Sequence, residues 1–256
     1  MEQNELTPVQ RVGEYWLKRD DLFEVCGVKG GKARAAYEQI KKAVAAGTPG
    51  IVTAGAREST QCEIVSALCD KMGVKCAFIM PQGKDTSVIE NIRKSPLSSI
   101  MPQRAGYNNV LCSRAKQYAI ESGWFYLPFG MEFLENVEIT SRQVQNIPQE
   151  VKRIVCPVGG GMSMASVLNG LTRFNRYDVE VVGVQVGKRA AKTIDKFYDP
   201  FLLPKVKFSL VDAGVDYHKQ AGETNLCGVE LDPIYEAKCL PFLKPGDLLW
   251  VVAHRK

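Results

Sequence analysis

The segment GIVTAGARESTQCEIVSALCDKMGVKCAFIMP, residues 50–81, carries the pattern that decides the fold. Its opening, GIVTAG, is a short apolar run of the kind that forms a buried strand. Apolar residues then recur at helical spacing, at Cys62, Val65, Leu68 and Met72. Gly73 ends this helical pattern, and VKCAFIMP (74–81) predicts a second strand. A strand, a helix and a strand in this order predict two parallel strands joined by a crossover helix.

The same alternation continues along the chain. Further strands are predicted at 151–158, 179–186 and 247–253, and further helices at 33–46, 86–94, 111–122 and 164–173. We therefore predict an α/β fold of two three-layer αβα lobes with mainly parallel sheets. The smaller, substrate lobe is predicted over 45–130. The larger, cofactor-binding lobe is predicted to combine 1–44 with 131–256.

Composition limits the classes of function. The chain has 256 residues, of which 45% are hydrophobic, which is enough for a large core. No run approaches the roughly 18 apolar residues of a membrane span, and the start MEQNELTPVQ is too polar for a signal peptide, so we expect a cytoplasmic protein without a membrane partner. Eight cysteines without a C-x-x-C pair and two histidines predict no metal site. The net charge of +5 could favour an anionic partner, although a solvated basic surface explains it as well.

A run of three glycines lies between a predicted strand and a predicted helix in CPVGGGMSMASVLNGL (156–171). Backbone N–H groups can converge on an anion at such a turn, although glycines there can also serve tight packing. A dinucleotide-binding G-x-G-x-x-G would need glycine where Met164 stands. We therefore favour a single phosphate group, held by Gly159, Gly160, Gly161, Met162 and Ser163.

A lysine with neighbouring glycines stands at the start of the first predicted helix, in GVKGGKARAAYEQI (27–40). Gly30 and Gly31 would let a planar group approach, and the amine of Lys32 could reach it, whereas Lys29 is expected on the surface. Pyridoxal phosphate combines a phosphate with an aldehyde that forms a Schiff base with a lysine. The phosphate loop and Lys32 together predict this cofactor.

Five stretches, in the same order, resemble the fold-type II pyridoxal phosphate enzymes, or tryptophan synthase β family. The resemblance is to the branch containing aminocyclopropane carboxylate deaminase and D-cysteine desulfhydrase. LTPVQRVGEYWLKRDDL (6–22) is similar to the family's TP…KRDDL, and GGKAR (30–34) resembles GGNKxR with a glycine replacing the asparagine. VTAGARESTQ (52–61) resembles VTAGAxxSNH, and PVGGGMSMAS (157–166) resembles VGxGGTxAG. DYHKQAGETNLCGVELDPIYEAK (216–238) resembles YG…T…EGxxLDPxYxxK in shortened form.

The resemblance implies roles for individual residues. It implies a cofactor in the cleft between the two lobes, with Lys32 forming the internal aldimine. It implies a substrate-binding loop at Ser59, Thr60 and Gln61, where Thr60 and Gln61 replace the family's Asn and His. Ser59 would also assist catalysis, as would Tyr217. The final VVAHRK aligns His254 with the His of the family's HTGG and puts Arg255 in the position that faces the pyridine nitrogen. A homodimer is expected.

Three functions remain open at this level. The leading hypothesis is a pyridoxal phosphate-dependent lyase or deaminase acting on an amino acid or amino acid derivative. The first alternative is an enzyme of the same cofactor that acts, for example by decarboxylation, on an amino acid attached to a larger anionic molecule such as a modified nucleic acid. The second alternative is a catalytically degenerate protein that only binds the cofactor.

Overall fold

The chain forms two compact units in the computed structural model, which describes residues 6–104, 107–187, 190–198 and 205–252. The terminal unit comprises Met1–Phe23 and Phe133–Lys256, and the central unit comprises Glu24–Glu132. No helix within the described ranges is long and apolar enough to cross a membrane.

The described elements follow in chain order. The strands are β1 (Val9–Val12), β2 (Tyr15–Arg19), β3 (Glu24–Val25), β4 (Val28–Lys29), β5 (Gly50–Ala54), β6 (Lys75–Pro81), β7 (Ser98–Gln103), β8 (Phe125–Tyr126), β9 (Arg153–Val158), β10 (Glu180–Gln185), β11 (Phe208–Asp212), β12 (Asn225–Leu226), β13 (Val229–Glu230) and β14 (Leu248–Val251). The α-helices are α1 (Gly31–Ala45), α2 (Thr60–Lys71), α3 (Ser87–Arg93), α4 (Asn108–Ser122), α5 (Leu134–Ser141), α6 (Met162–Arg173) and α7 (Ala190–Phe197). Short 3₁₀ segments lie at Asp20–Leu22, Phe129–Met131, Arg142–Val144 and Glu236–Phe242.

The central unit is built on the βαβ motif that the sequence predicts. Its sheet has the order β7-β6-β5-β8, and all three pairings are parallel. Every residue of β5 is buried, because α4 covers one face of the sheet and α2 packs against the other. Gly50 is required at the start of β5, since a Cβ there would lie 2.5 Å from the ring of Trp124.

The terminal unit contains the larger sheet, with the order β1-β2-β14-β9-β10-β11. Its pairings are parallel except for the antiparallel β1–β2 ribbon. Successive residues of β9 enter different cores: Ile154 and Cys156 pack with α5 and α6, whereas Val155 packs beneath the 3₁₀ segment Glu236–Phe242. Because both faces of the sheet are covered there, the sequences of β9, β10 and β14 are nearly continuous runs of apolar residues. The predicted α/β fold with mainly parallel sheets is confirmed.

One boundary of the units differs from the predicted division. The prediction joins residues 24–44 to the large lobe, whereas the structure groups them with the central unit. The physical reason is the packing of α1, which contacts α2, β5 and the 3₁₀ segment Phe129–Met131. The assignment of one lobe to the cofactor and the other to the substrate stays a prediction.

Candidate functional site

Lys32 lies in the first turn of α1 with its side chain exposed. Gly30, the residue that precedes the helix, has φ of +104°, a conformation that favours glycine, and a Cβ there would meet nothing within 4 Å. The backbone before Lys32 is thus open to a flat ligand. Lys29, which was expected on the surface, is exposed and lies 3.6 Å from the carboxylate of Glu24.

The thiol of Cys62 links Lys32 to the predicted substrate loop. Burial raises the pKa of Cys62 to about 12, while a hydrogen bond with Ser59 and the positive charge of Lys32 act in the opposite direction. Ser59 therefore contacts this sulfur atom, and Lys32 is close enough for its charge to lower the pKa of the thiol. Gly55 makes the arrangement compact, because a Cβ there would lie 2.5 Å from Cys62 Sγ and 2.9 Å from Ser59 Oγ.

We call Lys32, Ser59 and Cys62 the lysine cluster. Ser59 is the N-cap residue of α2 and follows the carboxyl end of β5, the edge of a parallel sheet at which ligands usually bind. The structure thus brings two predicted catalytic residues, Lys32 and Ser59, to one place. Cys62 is not among the predicted site residues, because its position on the apolar stripe of α2 is typical of a core cysteine.

Gln61, predicted to bind substrate, is buried and hydrogen-bonded within the central unit. Its Nε2 donates to Thr53 Oγ1 at 3.2 Å and to the carbonyl of Pro128 at 2.9 Å, and its Oε1 accepts from Gly130 N at 2.8 Å. A direct contact between this amide and a substrate would require one of these bonds to break. Thr60 is half-buried in the first turn of α2.

The glycine loop, residues 159–163, joins β9 to α6 in the terminal unit. Gly161 has φ of +99° and immediately precedes α6, so that the N–H groups of Met162 and Ser163 belong to the start of a helix. A Cβ on Gly160 would meet nothing within 4 Å, so one side of the loop is open. Free N–H groups at a helix N-terminus beside an open glycine match the chemistry of a phosphate site, so this loop fits the phosphate of pyridoxal phosphate.

The other side of the glycine loop is covered by Tyr235. A Cβ on Gly159 would lie 2.9 Å from two atoms of the Tyr235 ring system. The hydroxyl of Tyr235 is 3.0 Å from the hydroxyl of Tyr217, and the two rings meet edge to face. The predicted residue Tyr217 is therefore placed beside the glycine loop through a tyrosine partner that the sequence analysis missed. The available signal was the position of Tyr235 in LDPIYEAK, which aligns with the tyrosine of the family's LDPxY.

Buried charged residues hold this tyrosine pair in place. Lys238 Nζ donates to the carbonyls of Asp216 and Tyr217, at 2.8 and 3.1 Å. Asp232 accepts from the backbone N–H of Tyr235 at 2.9 Å. Glu236, which is fully buried, accepts from Val252 N at 2.7 Å and so ties the same segment to the end of β14. His254 and Arg255, of which Arg255 was predicted to face the pyridine nitrogen, lie outside the described residues.

Comparison with known proteins identifies the class of protein. A family model described as pyridoxal-phosphate dependent enzyme matches residues 2–217. The chain belongs to this family, and both the resemblance inferred from the sequence and the predicted cofactor are confirmed at that level.

Individual relatives are distant. The chain is 23% identical over 199 residues to an O-seryl-dTMP PLP-dependent decarboxylase of Salmonella phage ViI, covering 67% of this chain and 47% of the relative. It is 22% identical over 207 residues to a 1-aminocyclopropane-1-carboxylate deaminase of Rhizobium radiobacter, covering 70% of this chain and 59% of the relative. The chain thus spans about half the length of these curated relatives.

A solved structure described as an ACC deaminase homologue is similar over nearly the whole chain. The TM-score is 0.79 at 19% identity, with 98% of this chain and 90% of the other covered. This likeness shows that the fold is shared.

Proposed function

We propose that the protein is a pyridoxal phosphate-dependent lyase of the deaminase type, acting on an amino acid or amino acid derivative with Lys32 as the cofactor-binding lysine. The observation that carries this proposal is the lysine cluster: Lys32 lies in the first turn of α1 with its charge within reach of the Cys62 thiol, and the N-cap Ser59 of α2 packs beside that thiol. When bound, pyridoxal phosphate would supply an electron sink for negative charge at the α-carbon of the substrate.

The chain's own residues would bind, orient and move protons. The backbone N–H groups of the glycine loop would hold the phosphate, with the Ser163 hydroxyl beside them. The amine of Lys32, once released, would take up or return the proton at the α-carbon. Ser59 would either bind the substrate carboxylate or assist proton transfer. Tyr217 and Tyr235 share one hydrogen bond that either hydroxyl can donate, so the pair can pass a proton between them.

A second candidate is decarboxylation of an amino acid attached to a larger anionic molecule. A specific observation favours it: the side-chain amide of Gln61 is hydrogen-bonded to Pro128 and Gly130. The predicted substrate loop therefore has fewer polar groups left to bind the carboxylate of a free amino acid. The curated relative from phage ViI is named as a decarboxylase of O-seryl-dTMP. In this reaction the bond from the α-carbon to the carboxylate would break, carbon dioxide would leave, and a proton would replace it.

The test is a product screen with purified protein and added cofactor. Free amino acids and amino acids linked to nucleotides are supplied in parallel, and ammonia and carbon dioxide are measured separately. Ammonia released from a free amino acid supports the deaminase proposal, and carbon dioxide with retained amine supports the second candidate. The variant Lys32→Ala should abolish either product, whereas the matched variant Lys29→Ala should not. A protein that binds the cofactor but releases neither product would be the degenerate alternative.

The subunit organisation and cellular location are further proposals. We propose a homodimer, which the resemblance supports, and a location in the cytoplasm, which the polar start of the sequence suggests. Light scattering of the purified protein measures the number of subunits. A monomeric mass at micromolar concentration would contradict the homodimer.

A further inference from the structure

The net positive charge of the chain comes from the central unit. Residues 24–132 contain 14 Lys and Arg against 9 Asp and Glu. The remaining residues contain 19 of each, so the terminal unit is neutral and the central unit carries the whole formal charge of +5. An anionic partner would therefore be attracted to the unit that contains Lys32 and Ser59.

Basic side chains follow three neighbouring strands of the central sheet at the points where the strands end. Arg57 follows β5, Lys84 follows β6 and Arg104 follows β7. Because these strands are parallel and adjacent, the three loops lie along one edge. Two further arginines join the same edge, since Arg93 pairs with Asp85 and Arg114 donates to Gln103.

Hydrogen bonds hold the loops together. Arg57 Nε donates to the carbonyl of Lys84 at 2.6 Å and Arg57 Nη1 to the carbonyl of Pro81 at 3.2 Å. Gln82 N donates to the carbonyl of Gln103 at 2.7 Å. The loops after β5 and β6 and the carboxyl end of β7 therefore form one connected surface. We call it the basic edge, defined by Arg57, Lys84, Arg93, Arg104 and Arg114.

The charge of the basic edge is only partly neutralised. Asp85 pairs with both Arg93 and Arg57, and Glu58 is the other acidic residue of these loops. Within the described part of the chain, neither Lys84 nor Arg104 has a carboxylate at ion-pair distance. Tyr107, the residue that precedes α4, is 82% exposed. Exposed cations beside an exposed aromatic ring are the groups that bind phosphates and stack on bases.

The basic edge leads directly to the lysine cluster. Arg57 and Ser59 belong to the same loop, and Ser59 packs beside the Cys62 thiol, which lies within reach of the charge of Lys32. We infer that the basic edge binds the phosphates of a nucleic acid that carries the amino acid substrate, presenting the amino acid to Lys32. This inference rests on the second candidate function, decarboxylation of an amino acid attached to a larger anionic molecule. It names the substrate class as an aminoacylated or otherwise amino acid-modified nucleic acid.

The experiment measures binding of a fluorescein-labelled DNA duplex to the protein with cofactor added, between 50 and 200 mM salt. The double variant Lys84→Gln/Arg104→Gln removes two exposed cations from the basic edge. The matched control Lys71→Gln/Lys75→Gln removes two exposed cations from the end of α2 and the opposite, amino end of β6. Each phosphate contact contributes about 0.9 to the slope of log affinity against log salt. If two contacts are lost, the decrease in affinity between 50 and 200 mM salt should be smaller by a factor of ~12 than for the wild type.

The expected result is salt-dependent binding whose slope falls by about 1.8 in the edge variant and is unchanged in the control. The inference is overturned if the duplex does not bind, or if both variants lose the same affinity, which would indicate attraction to net charge alone. The visible absorption of the cofactor is recorded on the same samples. A protein without that absorption refutes the proposed function, whereas normal absorption without duplex binding refutes only the role of the basic edge.

Discussion

Replacing Gly159 with alanine tests whether the glycine loop and the tyrosine pair form one packed assembly. The added methyl would lie 2.9 Å from Cε1 and from the hydroxyl oxygen of Tyr235, well inside the usual 3.5–4.0 Å contact distance of carbon atoms. Tyr235 cannot retreat freely, because its hydroxyl bonds to Tyr217 and its backbone N–H to Asp232. Overpacking of this kind costs about 1–3 kcal/mol. For a chain of this size we expect the melting temperature to fall by about 2–12 °C.

Gly160→Ala is the matched control, since a methyl there meets nothing within 4 Å. Without cofactor it should leave stability unchanged or raise it by about 0.4–1 kcal/mol, because alanine restricts the unfolded chain. With saturating pyridoxal phosphate it should gain less thermal stability than the wild type, since the methyl occupies the open side of the predicted phosphate site. The assay is thermal unfolding of both variants with and without cofactor. Equal melting temperatures of the two variants without cofactor would refute the packing argument.

Three further predictions concern groups that hold the site. Gln61→Leu removes three hydrogen bonds around a buried amide and should lower the free energy of unfolding by about 2–3 kcal/mol, measured by urea denaturation. Lys238→Met leaves the carbonyls of the Tyr217 loop without their donor, so kcat should fall more than KM rises in steady-state assays. Burial raises the pKa of both Cys62 and Cys156 to about 12, which favours the neutral thiols in the folded protein. The contribution of these thiols to the unfolding free energy should therefore be constant below pH 9 and fall above it, by about 1.4 kcal/mol per pH unit for each thiol.

Each of these predictions has a control. Gln82→Leu alters an exposed glutamine and should change the unfolding free energy by less than about 0.5 kcal/mol. Lys244→Met alters an exposed lysine and should leave kcat unchanged. The double variant Cys62→Ala/Cys156→Ala should show a shallower loss of stability above pH 9. A Gln61 variant as stable as wild type, a Lys238 variant with normal kcat, or an unaltered pH dependence in the cysteine variant would contradict the corresponding contact.

The sequence predicts the strands that are buried on both faces, but misses those at the sheet edges and the interior strand β2, which is only partly buried. β5, β6, β9, β10 and β14 lie inside their sheets and read as apolar runs. β7 has the sequence SSIMPQ, in which two serines and a proline interrupt the apolar pattern by which a strand is predicted. Proline is tolerated there because β7 is an edge strand. Such strands form because they pair with a strand that is distant in the sequence, and the local pattern of apolar residues carries no information about that pairing.

The same distinction applies to the site. Lys32, Ser59 and the glycine loop were predicted because short local motifs carry them. The pairing of Tyr217 with Tyr235 depends on a turn of the chain between residues 18 positions apart. The bonds of Gln61 to Pro128 and Gly130 span 67 and 69 positions, so no local pattern could show that its amide is occupied. The residues whose contacts could not be predicted are therefore those whose partners lie far away in the sequence.

The most direct test of the central claim locates the lysine that binds the cofactor. Purified protein with added pyridoxal phosphate is reduced with borohydride, digested and analysed by mass spectrometry, with Lys32→Ala and Lys29→Ala treated in parallel. The account predicts loss of the visible imine absorption on reduction and a cofactor label on the peptide containing Lys32, absent from the Lys32→Ala variant and retained in Lys29→Ala. A label on another lysine, or equal labelling of the Lys32→Ala variant, would contradict it.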